Sequence, residues 1–149
     1  MKTRSVALAF LLYGFALGQI QVHVPAARFR PHNVIDVVIR NVSAKDVSFC
    51  VEYGFRSFRD PDHPETTPTP VYVKRKDKHG WNTLLIGPDV GSMRHSVSLG
   101  PGEFHEYPFR LSDSGTMRVL LDYWLGENNH ACENPKGRKI AKSRLFVVE

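Results

Sequence analysis

Beyond the first eighteen residues, apolar and polar positions alternate along the chain with a period of two, and Gly, Pro, Asn and Asp break the alternation at short intervals. That period sets successive side chains on opposite faces of an extended strand. It predicts nine strands, at about 19–24, 33–41, 46–53, 70–76, 81–86, 93–99, 103–111, 116–125 and 139–148. No amphipathic helical stretch of ten residues interrupts them. The turns have local causes: Asn41 and Ser43 bond their own backbone, Gly80 supplies a positive φ, and Gly100-Pro101-Gly102 makes a tight reversal. Many short strands at this spacing predict a sandwich or barrel.

The alternation also assigns faces. Ile35, Val37 and Ile39 share one side of their strand, as do Val47, Phe49 and Val51. Tyr107, Phe109 and Leu111 follow the rule, and so do Met117, Val119, Leu121 and Tyr123; together they form the predicted core. The opposite side of the eighth strand carries Arg118, Leu120, Asp122 and Trp124, and that of the third carries Ser48, Cys50 and Glu52. Leu120 and Trp124 are thus a candidate binding patch on an outer sheet face. One segment, 56–70, falls outside the rhythm: it holds Pro61, Pro64, Pro68 and Pro70 among charges and reads as a long surface loop.

Three short pieces resemble bacterial immunoglobulin-like sandwiches: Val38-Ile39-Arg40-Asn41-Val42-Ser43, Leu99-Gly100-Pro101-Gly102-Glu103 and Asp113-Ser114-Gly115-Thr116-Met117-Arg118-Val119. The third is similar to the Asp-x-Gly-x-Tyr-x-Cys start of an immunoglobulin F strand, with Met117 in the Tyr place and Val119 in the Cys place. That departure removes both the tyrosine corner and the intersheet disulfide. The three pieces, within 33–125, also resemble the proteinase-inhibitor family of intracellular bacterial sandwich proteins, whose inhibitory residues have no counterpart here. The resemblance implies an all-β, immunoglobulin-like antiparallel sandwich of about 7–9 strands.

Composition then narrows the compartment. Lys2 and Arg4 precede an apolar run over 6–17, which ends in Ala16-Leu17-Gly18. That order is a secretory signal, with Gln19 as the first mature residue. A membrane anchor would need ~20 apolar residues, and about twelve are present. The expected organisation is a signal peptide, 1–18, and one sandwich domain, 19–149, secreted or periplasmic. Loss of Lys2 and Arg4 lowers the net charge from +5 to +3, a weak footprint for nucleic acid. Two basic clusters, Lys74-Arg75-Lys76 with Lys78 and Lys136 to Arg144, read as solvated surface charge.

An exported chain with two cysteines predicts a Cys50–Cys132 disulfide. In an immunoglobulin-type order the third strand runs antiparallel beside the eighth, which brings Cys50 near the loop that holds Cys132. If that loop folds back it covers Leu120 and Trp124; if it stands away, they face water as a contact site. The disulfide favours the covered arrangement.

Catalytic chemistry finds little footing. No Gly-x-Ser-x-Gly is present, and the seven histidines form no His-x-His or His-x3-His pair. His95 and His105 are expected to face each other across a hairpin at 100–102. Asp60, Asp62 and Glu65 lack the glycine of a calcium loop. Asn41-Val42-Ser43 is a glycosylation sequon. The resulting reading is an exported, non-catalytic binding or structural module without metal or cofactor, whose partner is another protein or an envelope component. The competing reading is a secreted hydrolase inhibitor acting through loop 56–70.

Overall fold

Strands and turns account for the described residues of the computed structural model, which are 19–53, 68–84, 93–133 and 136–149. Residues 1–18, and with them the proposed signal, lie outside these, as does loop 56–70 up to residue 67. The strands are β1 (Ile20–His23), β2 (Arg28–Phe29), β3 (Val34–Asn41), β4 (Val47–Tyr53), β5 (Pro68–Thr69) and β6 (Val71–Asp77). They continue as β7 (Gly80–Leu84), β8 (Met93–Leu99), β9 (Phe104–Arg110), β10 (Gly115–Leu125), β11 (Lys139–Lys142) and β12 (Phe146–Val148).

Two sheets face each other. The smaller has the order β1-β3-β9 and is antiparallel throughout. The larger is built on β10, which pairs with β4 on one edge and with β11 and β12 on the other; β8 lies outside β4. With β2 and β5 to β7 set aside, the remaining strands pair as β1-β3-β9 in one sheet and as β8-β4-β10, with β11 and β12 beyond β10, in the other. That is an immunoglobulin-like order, because β3 to β4, β8 to β9 and β9 to β10 each pass between sheets.

The core residues that alternation selects are all buried between the sheets: Ile35, Val37, Ile39, Val47, Phe49, Val51, Tyr107, Phe109, Leu111, Met117, Val119, Leu121 and Tyr123. Phe49 and Tyr107 meet edge to face across the layers, with centroids 6.2 Å apart. Such pairs add about 0.5–1.5 kcal/mol beyond their burial.

The first two family-like pieces turn out to be one corner. Asn41, fully buried, donates from Nδ2 to the carbonyls of Lys45 (2.8 Å) and Leu99 (2.9 Å). Its Oδ1 accepts from Ser43 N and Ser43 Oγ. Gly102, at φ 81°, donates its N–H to the Asn41 carbonyl, and Asn41 N–H donates to Glu103 O. A side chain with its hydrogen-bonding capacity filled in this way has no Nδ2 to offer for glycosylation in the folded domain.

Four expectations are corrected. The turn at 100–102 is no hairpin: β8 pairs with β4 and β9 with β3, so His95 and His105 lie in different sheets. The last strand is broken at 143–145, where Ser143 Oγ accepts Val119 N–H and so replaces a ladder bond. Arg28–Phe29 is a short strand that alternation missed, parallel to β12, and two residues are too few to show a period. Pro70, expected to open the fourth strand at the end of a loop, instead stands between two strands. Before it, β5 pairs with β4; after it, β6 pairs with β10. Proline has no N–H for either ladder, so it sits at the crotch where β4 and β10 part.

Candidate functional site

The fork at Pro70 divides the outer face of the larger sheet into two halves that share β10. In the upper half β10 runs beside β4, and β8 lies on the far side of β4. The outward positions there are Trp124, Ser48, Cys50, Ser96 and Ser98, with Trp124 opposite Ser48, Ser48 opposite Ser98 and Cys50 opposite Ser96. The segment that leaves β10 turns at Gly126, whose φ of 81° suits glycine, and folds back over this half.

What holds that cap is backbone bonding to small side chains. Ser48 Oγ, fully buried, donates to Gly126 O (2.8 Å) and accepts from Asn128 N–H (2.9 Å). Its second lone pair is available to the Ser98 hydroxyl at 2.8 Å, which completes the capacity of one hydroxyl. Ser96 Oγ accepts the Ala131 N–H (3.0 Å), and Ala131 is buried. The next residue, Cys132, is bonded to Cys50, with Cα atoms 4.9 Å apart and a sequence separation of 82. Trp124 Nε1 donates to Lys136 O at 2.9 Å, and Gly137 passes over its ring.

Leu120 and Trp124 are therefore packing residues, 3% and 7% exposed. As a contact patch they are a misreading; the cap covers Trp124, while Tyr72 and Lys142 flank Leu120 across the strands. Tyr72 donates from its hydroxyl, past Leu120, to Asp122 Oδ1 (3.2 Å), and Arg138 pairs with Asp122 Oδ2 (3.2 Å). Burial, and then the Asp122 carboxylate, push the Tyr72 phenol above its ordinary value. Tyr123, on the core side, is raised by burial alone.

The lower half, where β10 runs beside β6 and β7, is different in kind. Its outward positions include Lys74 and Lys76 on β6, Trp81 on β7, Arg118 on β10 and Lys142 on β11, beside Tyr72, Thr83 and Leu120. Arg118 lies directly opposite Lys74. Like charges directly opposite each other on neighbouring strands are destabilising. Arg118 is held by an aromatic ring: its guanidinium carbon is 4.0 Å from the Trp81 ring centre. A stacked pair of this kind contributes about 0.5–2 kcal/mol. The Arg118 Nε is buried without a hydrogen-bond partner. Among the described residues no acid pairs with Lys74, Lys76, Arg118 or Lys142, and Asp122 is already engaged by Arg138 and Tyr72. Alternation placed Arg118 outward, but its neighbours depend on the β6 register, which the sequence does not state.

Other candidates separate. Among the described residues no three His, Cys, Asp or Glu side chains gather into a metal-holding group. No helix among them is long and apolar enough to cross a membrane. The inhibitor reading falls on loop 56–70, of which 56–67 lie outside the described residues.

No protein-family model and no curated protein sequence matches the chain. The proteinase-inhibitor likeness thus stands on its three motifs only. Among solved structures, the chain is similar to the sporulation control protein Spo0M of Bacillus subtilis, at 14% identity and a TM-score of 0.39, over 89% of this chain and 50% of that one. It spans about half of Spo0M's length. It is similar to the ASH/PapD-like domain 7 of human CEP192 at 11% identity and a TM-score of 0.34, over 98% and 96% of the two chains. A third likeness is AvmM, which catalyses macrocyclisation in alchivemycin A biosynthesis, at 10% identity and a TM-score of 0.33, over 87% of each chain. No activity passes from them to this chain.

Proposed function

We propose that this protein is an exported, non-catalytic binding or structural module that works in the cell envelope or the extracellular space. The observation that carries the reading is the Cys50–Cys132 disulfide. Disulfides form and persist in oxidising compartments and are rare in the cytosol, and this one anchors the cap that covers Trp124. A second feature agrees with it: Gln19, the proposed first mature residue, is tied into the domain. Its carbonyl accepts Val42 N–H, and its side-chain oxygen accepts from Lys139 Nζ at 3.2 Å. A rigid sandwich with a cationic, aromatic-bearing outer face and a locked cap suits recognition of another protein or of an envelope component.

The test is the mass of the protein recovered from its own host. A species that starts at Gln19 and contains no free thiol is expected. A cell-associated species that retains residues 1–18, or one with two alkylatable cysteines, contradicts the reading.

A further inference from the structure

We infer that the lower half of the outer face, formed by Lys74, Lys76, Trp81, Arg118 and Lys142, is a binding site for an acidic polysaccharide. The inference deepens the proposed function and rests on it for the compartment.

Two basic clusters that lie some sixty residues apart in sequence meet here. Lys74 and Lys76 arrive on β6, Lys142 on β11, and β10 between them contributes Arg118. Adjacent strands are about 4.8 Å apart, so the cations cross the sheet as a band about 10 Å wide. A band of like charge is unfavourable within the fold itself, and among the described residues nothing neutralises it: the one carboxylate on these outward rows belongs to Arg138 and Tyr72. Arg118 is held 4.0 Å from the Trp81 ring centre and, among the described residues, by no acid. Its terminal nitrogens keep the planar geometry that carboxylate and sulfate accept in pairs.

The shape and the aromatic choose among polyanions. Among the described residues no loop crosses this surface, and a sheet face suits a linear chain laid across it more than a folded acidic partner. Trp81 is only partly buried and sits at the side of the band, where an indole can pack against the apolar face of a sugar ring. An exported protein meets acidic glycans in its own compartment, whereas nucleic acid is foreign to it.

The mature, oxidised protein, residues 19–149, is titrated calorimetrically with polygalacturonate, dextran sulfate and neutral dextran, and with a single-stranded DNA oligomer and polyglutamate. Polygalacturonate presents carboxylates and dextran sulfate presents sulfates, so the two arms separate the anion types. Micromolar binding of at least one is expected, together with none of neutral dextran, and it should fall steeply by about 0.3 M salt. Lys74→Gln/Lys142→Gln should weaken it about tenfold or more. Lys45→Gln/Arg110→Gln, which removes the same charge from exposed sites elsewhere, should stay within about twofold. No binding of either acidic glycan, equal binding of neutral dextran, or tighter binding of DNA or polyglutamate overturns the proposal. So does a Lys74→Gln/Lys142→Gln protein that melts like the parent and binds as well. The export reading is scored separately by the mass of the native protein, so a failed titration with an oxidised, processed chain removes the site and leaves that reading standing.

Discussion

The two halves of one sheet face share a strand and differ in nearly everything else. Above Pro70, the outward side of β10 is apolar and sits under a cap fastened by a disulfide, two serines and an indole N–H. Below it, the outward side of the same strand is cationic and open, with a tryptophan beside the charge instead of beneath a loop. Alternation treats the two halves alike, since Arg118 and Trp124 occupy equivalent outward positions. The difference comes from what lies across the sheet. Small Ser48, Ser96, Ser98 and Cys50 leave room for a returning backbone and offer it partners. Lysines on β6 and β11 occupy the same space in the lower half with charge that a returning backbone cannot neutralise.

Removing the disulfide should break the contrast most. Cys50→Ser with Cys132→Ser releases a constraint across 82 residues, worth about 4–5 kcal/mol in the chain-entropy model. Urea unfolding measures the loss. A loss near zero would mean that the serines and Trp124 hold the cap unaided. Next comes Trp124→Ala, which opens a cavity beneath the cap and should cost about 3–5 kcal/mol. An unchanged melting temperature would return Trp124 to the status of a surface residue. In the lower half the equivalent change should be mild. Arg118→Leu gives up the Trp81 stack but relieves the repulsion with Lys74 and the unpaired Nε, so stability should move by no more than about 1 kcal/mol in either direction. A loss as large as that of Trp124→Ala would make Arg118 structural.

The smallest effect is alkaline. Tyr72 and Tyr123 both have phenols raised by burial, Tyr72 also by Asp122. The fold favours their neutral forms, so the contribution is fully present below the unfolded value of about 10 and is lost as pH rises through the folded values. Tyrosinate absorbance should therefore lag in the folded protein, and Asp122→Asn should advance the Tyr72 part of the titration while Tyr123 stays late. Coincident folded and unfolded titration curves would contradict this.

Much of the fold was legible because it is written in local periods. Val47, Phe49 and Val51 alternate with Ser48, Cys50 and Glu52, and that suffices to choose an inside and an outside. The pairing of β4 with β10 followed from an immunoglobulin-type order, and with it the reach from Cys50 to Cys132. What could not be read was long-range register. Pro70 reads as a loop proline until β4 and β10 are seen to part around it, and only that parting sets Lys74 against Arg118. Likewise, Gly100-Pro101-Gly102 is a tight turn in either topology; passage to the other sheet depends on Asn41, which receives Gly102 from a different strand. The cationic band is invisible in a net charge of +3 because it is assembled from strands distant in sequence.

The central claim, that one half of this face is closed and the other open, is tested most directly by the two tryptophans. Trp81→Phe leaves Trp124 as the sole tryptophan, excited selectively over the tyrosines at the red edge of the absorption band, and Trp124→Phe leaves Trp81. Iodide, an anionic quencher, reports access and local charge together. The account predicts that Trp124 emits at short wavelength and is barely quenched until the disulfide is reduced, whereas Trp81 is quenched strongly at low salt and less as added chloride screens the lysines. A Trp124 quenched as readily as Trp81 in the oxidised protein would contradict it.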